Sequence, residues 1–367
     1  MAPLENLTHL LAIVPFAEPK GSLDQIREKN PGVKITWIEV KLHPLEAWQN
    51  DVHIDPEVYR DVDVLMTLRA LPEPGQAPRL RYVHVFAAGT NHITSSPLYQ
   101  KSDIFITSSS GCHGPQIAEW VMMTALAQTH RLRTLYQWQD QCKWGRFDDH
   151  FWRVRDLVGQ RLGVLGYGSI GRQAARVAKA FGMDVIAYTA SPKTTPESKK
   201  DQAYTVPGTG DPNGELPSAW YSGLDKASLH NFLAQGIDIL LLSLPATPQT
   251  YHMIGEEELD ILGRTNHTFI SNVGRGELID HEALARVMKK RPGDEVWLRG
   301  AALDVAEPEP LPKDSELWHM PNVTITPHIS GAAIGYLERG VDILALNIER
   351  LKRGERLINQ VDRQRGY

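Results

Sequence analysis

Cysteine is nearly missing from this chain. It occurs twice in 367 residues, as Cys112 and Cys142, with no CxxC spacing. That excludes a disulfide framework, leaves zinc-ribbon and thioredoxin-like readings without their ligands, and points to a reducing, cytoplasmic setting. No run reaches the roughly eighteen apolar residues that a membrane span needs. The opening MAPLENLTHLLAIVPF breaks its apolar run at Pro15 and has no early Lys or Arg, so it resembles neither a signal peptide nor a transit peptide. Basic excess is absent as well: 39 Lys and Arg against 44 Asp and Glu leave a net charge of -5, so neither nucleic acid nor anionic lipid is an expected partner.

What is present is a soluble-type composition, 42% hydrophobic, in a chain long enough for two cores. Short apolar, β-branched runs alternate with helical patterns, as in parallel sheets covered on both faces. One set reads LLAIV, KITWIEV, VDVLMTL, YVHVF and IFITS; a second reads RLGVLG, DVIAYT, DILLLSL, TFISNV, GAALDV and NVTITP. Between them Ile117, Trp120, Val121, Thr124 and Ala125 recur at helical spacing. After Pro327 a second stripe, Ile334, Leu337, Val341, Leu344 and Ile348, has no new strands to cover and is expected to return to the first domain. The fold class is therefore α/β, two doubly wound parallel-sheet domains with a ligand site expected in the cleft between them. One domain comprises residues 1–116 and 329–367, the other residues 117–328. A Pro-, Gly-, Ser- and Thr-rich stretch near 191–228 reads as a surface insertion, either decorative or placed near a cofactor.

GYGSIG, residues 166–171, follows the strand-like RLGVL and opens a helix whose face is Ile170, Ala174, Val177, Ala178 and Phe181. That context makes it a dinucleotide loop: Gly166 for the turn, Gly168 for close approach of the pyrophosphate, Gly171 for helix packing, and amides near Ser169 and Ile170 for the phosphate charge. An acid to hold the ribose of NAD belongs about twenty residues on. The chain has Thr189 there, followed by Ser191 and Lys193. Losing the acid removes its repulsion of a 2'-phosphate, and the hydroxyl and cation suit one, so NADP(H) is the expected cofactor and NAD(H) the alternative. A Lys193 merely solvated at the edge of the insertion is the competing reading.

Later strands deliver charged residues at their carboxyl ends, the ligand edge of such a sheet. These are Arg275 after FISNV, Asp304, Glu307 and Glu309 in LDVAEPEP, and His328 behind Pro327. Each alone reads as a solvated loop residue, and His328 is one of 14 histidines. Together they suit a carbonyl beside a carboxylate: a guanidinium for the acid, an imidazole for the proton, and a carboxylate for the imidazole.

GYGSIG, SNVGRGELID, ALDVAEPEP and TPHISG, in that order, resemble the D-isomer-specific 2-hydroxyacid dehydrogenases, and FAAGTNHI and QIAEW continue the likeness in the first domain. The resemblance implies a Rossmann-type cofactor domain inserted into a flavodoxin-like substrate domain, with NAD(P)H-dependent reduction of a 2-keto acid to the D-2-hydroxy acid. Arg275 would hold the substrate carboxylate and ketone oxygen, and His328 would protonate that oxygen. The family pattern places the imidazole's partner five residues after the Asp and immediately before a proline, which selects Glu309 over Glu307 as the group favouring the protonated imidazole. Asp304 would face the nicotinamide carboxamide. Pro245, Val273, Gly274 and Ser330 join the cofactor contacts, and the backbone of Ala88 and Gly89 joins the substrate carboxylate. Arg69 stands where substrate side chains are contacted, an exposed loop arginine being the competing reading. Phe147 resembles an aromatic region that, in glyoxylate and hydroxypyruvate reductases, reaches a neighbouring subunit's pocket; a core or dimer-face aromatic is equally consistent. A homodimer through residues 117–145 follows from the same likeness. No metal is expected. A formate dehydrogenase would carry Gln in place of Glu309, and a nucleotide-sensing corepressor would call for a peptide groove and long flanks.

Overall fold

A computed structural model of the chain describes residue 4 and residues 6–41, 53–145 and 154–363. Two compact units form: Met1–Cys112 with Gln202–Val206 and Ala333–Tyr367, and His113–Asp201 with Pro207–Ala332. Among the described residues no helix is long and apolar enough to cross a membrane.

The first unit is built on five strands, β1 (His9–Val14), β2 (Lys34–Glu39), β3 (Val64–Thr67), β4 (Tyr82–Val85) and β5 (Phe105–Ser108). All pair in parallel in the order β2-β1-β3-β4-β5, the flavodoxin-like order. Side chains alternate between faces along each strand. Leu10, Ala12, Val14, Val64 and Met66 share one core with Val341, Leu344 and Ile348 of the helix Tyr336–Lys352. Leu11, Ile13, Leu65, Val83 and Val85 fill the opposite core. Ile334 does not belong to the expected stripe. It precedes the helix and is 99% exposed, because the chain is still turning at Gly335.

The second unit has seven strands: β6 (Arg161–Leu165), β7 (Asp184–Thr189), β8 (Ala219–Ser222), β9 (Ile239–Leu242), β10 (Phe269–Asn272), β11 (Gly300–Leu303) and β12 (Val323–Ile325). All are parallel in the order β12-β11-β10-β9-β6-β7-β8, so the order reverses between β6 and β9. Strand β9 again divides its residues, Leu240 and Leu242 to one core and Ile239 and Leu241 to the other. Ile117, Trp120, Val121 and Ala125 of the helix Gly114–Thr129 enter that second core.

Several sequence expectations change. The units divide at 112/113 and 332/333 rather than at 116/117 and 328/329. The helix from Gly114 packs along its length on the helix Ser169–Ala180, and Gln116 bonds the Gly331 carbonyl at 2.9 Å, which draws both chain segments into the second unit. The stretch near 191–228 is no mere surface insertion. It supplies the edge strand β8, half-buried throughout, buries Asp211 in the second unit, and buries Tyr204 in the first unit with Cys112 and Ile343. On the helix Ser169–Ala180 the polarity is partly reversed: Arg172 is 4% exposed, whereas Phe181 is 39% exposed.

Candidate active site

The glycine loop leaves β6 at the point where the strand order reverses, the place where such sheets bind ligands. Gly166 lies at φ +102°, and a Cβ there would meet Leu244 and Ser243 within about 3 Å. Ser243, just past β9, donates its hydroxyl to the Gly166 carbonyl at 2.8 Å. A Cβ on Gly171 would strike the Gly166 carbonyl at 2.5 Å. Gly168 is different: a Cβ on it meets no protein atom within 4 Å. Internal packing therefore explains Gly166 and Gly171, while the open space at Gly168, beside the first amides of the following helix, suits a diphosphate lying against the backbone. A dinucleotide fits this cradle.

At the end of β7, Thr189 is half-buried and donates its hydroxyl to the Ser191 carbonyl at 2.8 Å, which shapes the turn. Ser191 is exposed and Lys193 half-buried, and no acidic residue stands between 189 and 193. Pro245, half-buried after β9, accepts the Thr250 hydroxyl at 2.8 Å through its carbonyl.

Strands β10, β11 and β12 are neighbours, so the residues beyond their carboxyl ends converge on one edge. At the end of β10, buried Asn272 accepts the Gly274 N–H at 3.1 Å and donates to the Arg275 carbonyl at 2.8 Å, while Val273 is buried. Burial holds the Arg275 guanidinium below its ordinary range against the pull of Glu277 and Glu309, yet an arginine stays cationic. Gly276 is required by packing, since a Cβ there would lie 2.0 Å from the Ala306 carbonyl oxygen.

After β12, His328 adopts φ +56°, a left-handed conformation that costs a non-glycine residue about 1 kcal/mol. Asp304, 1% exposed beyond β11, holds it there. Its carbonyl accepts the His328 N–H at 2.8 Å. Its carboxylate accepts Thr326 Oγ1, the Ile329 N–H, and both the N–H and Oγ of Ser330 at 2.5 to 2.9 Å. Asp304 and Ser330, both expected at the cofactor, are thus bonded to each other, and a nicotinamide carboxamide would have to share an oxygen already engaged.

The imidazole Nδ1 of His328 lies 3.0 Å from Glu309 Oε1, with both side chains about one-third exposed. Glu307 is engaged elsewhere, 2.7 Å from Nε2 of His252. Two glutamates that compete in sequence are divided between two histidines. Asn272, Thr326 and His252 escape sequence reading. An Asn closing an apolar strand before a glycine is a turn signal that could have found the first, but nothing local marks the other two.

The remaining candidates lie in the first unit or outside the description. Arg69 is half-buried beyond β3; Ala88 is exposed and Gly89 half-buried beyond β4. Phe147 falls outside the described residues.

A family model described as D-isomer specific 2-hydroxyacid dehydrogenase, NAD binding domain, matches residues 122–209 and 211–330. The glyoxylate reductase of Korarchaeum cryptofilum is 30% identical over 328 residues, 86% of this chain and 90% of that protein. That of Thermococcus gammatolerans is 29% identical over 351 residues, 92% of each. A crystal structure of a D-isomer specific 2-hydroxyacid dehydrogenase from Xanthobacter autotrophicus Py2, in complex with NADPH and MES, is 26% identical with a TM-score of 0.71, covering 98% of this chain and 100% of that one.

Proposed function

The chain belongs to the D-isomer specific 2-hydroxyacid dehydrogenase family of NAD(P)-dependent oxidoreductases, and from that premise we propose that it reduces a 2-keto acid of the glyoxylate or hydroxypyruvate kind to the D-2-hydroxy acid, with NADPH preferred. The observation that carries this reading is the 3.0 Å pair of His328 and Glu309 on the strand edge that also bears Arg275.

Arg275 holds the substrate carboxylate, a task suited to a planar cation in a partly desolvated place. Glu309 orients the imidazole through Nδ1, and Nε2 is the atom we assign to deliver the proton to the ketone oxygen. Residues 166–171 would hold a dinucleotide by its diphosphate, and its nicotinamide would supply the hydride when bound. The Asp304 bonds keep the imidazole in place without reorganisation. Glyoxylate reductases among the relatives, and NADPH in the Xanthobacter structure, support the substrate and cofactor parts.

A panel of 2-keto acids assayed with NADPH and NADH tests the reading: turnover is expected with glyoxylate or hydroxypyruvate, and none across the panel with either cofactor, from folded protein, would overturn it. For the cofactor, Thr189→Asp reintroduces a carboxylate against the 2'-phosphate. The NADPH-to-NADH ratio of kcat/KM should fall about tenfold, the effect of one such repulsion in partly screened surroundings. An unchanged ratio would remove Thr189 from specificity.

Self-association over residues 117–145 is proposed as well. The helix Leu132–Asp140 has no buried residue, and Met123, Tyr136 and Trp144 are exposed. Sedimentation showing only monomer would refute it.

A further inference from the structure

Tyr167 sits between the first two glycines of the dinucleotide loop, yet its side chain turns away from solvent and is 5% exposed. The ring packs edge-on against Trp220 of β8 at 4.9 Å, and the hydroxyl donates to Asp211 Oδ2 at 2.8 Å. Burial and the neighbouring carboxylate push the phenol well above its ordinary range, so it remains a donor. Asp211, also 5% exposed, lies in the segment that reads as a loop insertion. Its carboxylate closes its own turn by accepting the Glu215 N–H at 3.0 Å and the Leu216 N–H at 3.1 Å.

The helix that follows the loop is held by the same segment. Arg172 donates to the carbonyls of Asp211 and Lys199, and its guanidinium lies 5.1 Å from the Tyr167 ring centroid. Gln173 accepts the Gly210 N–H at 2.6 Å, and Arg176 donates to the Gly210 carbonyl at 3.3 Å. One face of the glycine loop and the first two turns of its helix therefore rest on the Asp211 carboxylate and on backbone groups of Lys199, Gly210 and Asp211, 27 to 44 positions away. A buried arginine is tolerated here because those carbonyls accept from its two terminal nitrogens and the Asp201 carboxylate lies 3.6 Å from its Nε.

We infer that Asp211 is a positioning residue for the dinucleotide loop: through Tyr167 and Arg172 it fixes the backbone of residues 166–171 in the conformation that receives the diphosphate. The inference rests on the reading of that loop as the dinucleotide site. It assigns the inserted segment a role in cofactor affinity that the catalytic residues do not touch. Asn at 211 would turn an NH2 toward one of the donors that now meet a carboxylate oxygen, and Phe at 167 would delete only the hydroxyl.

The test is calorimetric titration of the full chain with NADPH and NADH, alongside melting temperature and steady-state kinetics, for wild type, Asp211→Asn, Tyr167→Phe and the double variant. Expected is a rise in cofactor Kd of about tenfold, the consequence of losing one charge-assisted buried bond. The cofactor KM should follow while the KM of the keto acid stays within twofold, and the double variant should bind no more weakly than Asp211→Asn alone. Lower melting temperature with unchanged Kd in both single variants would make the network merely structural and overturn the inference. Should Asp211→Asn not fold, Tyr167→Phe decides the matter by the same Kd criterion. Wild-type protein that binds neither dinucleotide would overturn the loop reading itself, a result distinguishable from variants that bind like wild type.

Discussion

Two histidines, one inside a sheet and one beyond a sheet's carboxyl edge, show how surroundings decide what an imidazole can do. His84 lies within β4 of the five-stranded sheet and is fully buried, its Nδ1 2.9 Å from Thr107 Oγ1 and its Nε2 3.0 Å from Ser109 Oγ. Burial pushes its pKa down to about 3, so it stays neutral. His328 stands at the carboxyl edge of the seven-stranded sheet, about one-third exposed, with a carboxylate 3.0 Å from Nδ1. Hydroxyl partners without solvent make a fixed structural bridge. A carboxylate partner with access to ligand makes a group able to carry a proton.

The largest effect that tests this contrast is catalytic. His328→Ala should lower kcat about 100- to 10,000-fold, the range for losing a positioned general acid, while cofactor Kd and melting temperature change little. The reaction is followed by NADPH oxidation with the preferred keto acid. Turnover within tenfold of wild type would mean that His328 is not the proton donor.

His84→Ala should do the reverse. Removing the imidazole leaves Thr107 and Ser109 with fewer partners in a site closed to water, a cost of about 2–4 kcal/mol in unfolding free energy. Tyr82 and Asn347 belong to the same buried network, which limits how far the hydroxyls can adjust. Denaturant melts should show the loss with kcat within about twofold of wild type, on the footing that folded-state geometry at the other sheet is unaffected. A collapse of turnover with stability intact would erase the distinction between the two histidines.

The two residues also mark how far a sequence can be read. YVHVF is legible as a strand because a parallel strand covered on both faces is an apolar run, and the same holds for DILLL. Nothing in that run tells that His84 is bonded on both nitrogens, since its partners come from the next strand and turn. TPHISG is legible as chemistry only in company with Arg275 and Glu309, and the division of Glu307 and Glu309 between His252 and His328 depends on a loop that folds back from residue 252. Strand β8 escaped because four half-buried residues at a sheet edge, after a Gly- and Pro-rich stretch, lack the apolar density that marks interior strands. Arg172 and Asp211 escaped for a related reason: polar residues read as surface unless their distant partners are known.

The smallest effect follows from protonation, and its sign is set by the downward shift at His84. Below about pH 6.5 an unfolded chain binds a proton at this histidine, whereas the folded chain does not until pH approaches about 3. The stabilising contribution is therefore complete above pH 6.5 and is lost as the pH falls from there toward 3. At about 1.4 kcal/mol per pH unit, the descent from pH 6.5 to 5 removes about 2 kcal/mol. His84→Gln has no proton to gain, so the difference in unfolding free energy between wild type and this variant should shift by that amount across the interval, in favour of the variant at the acid end. Comparing the two proteins cancels the carboxylates that both share. A difference that stays constant from pH 8 to 5 would show that His84 is not held neutral by the fold, and the contrast with His328 would then rest on catalysis alone.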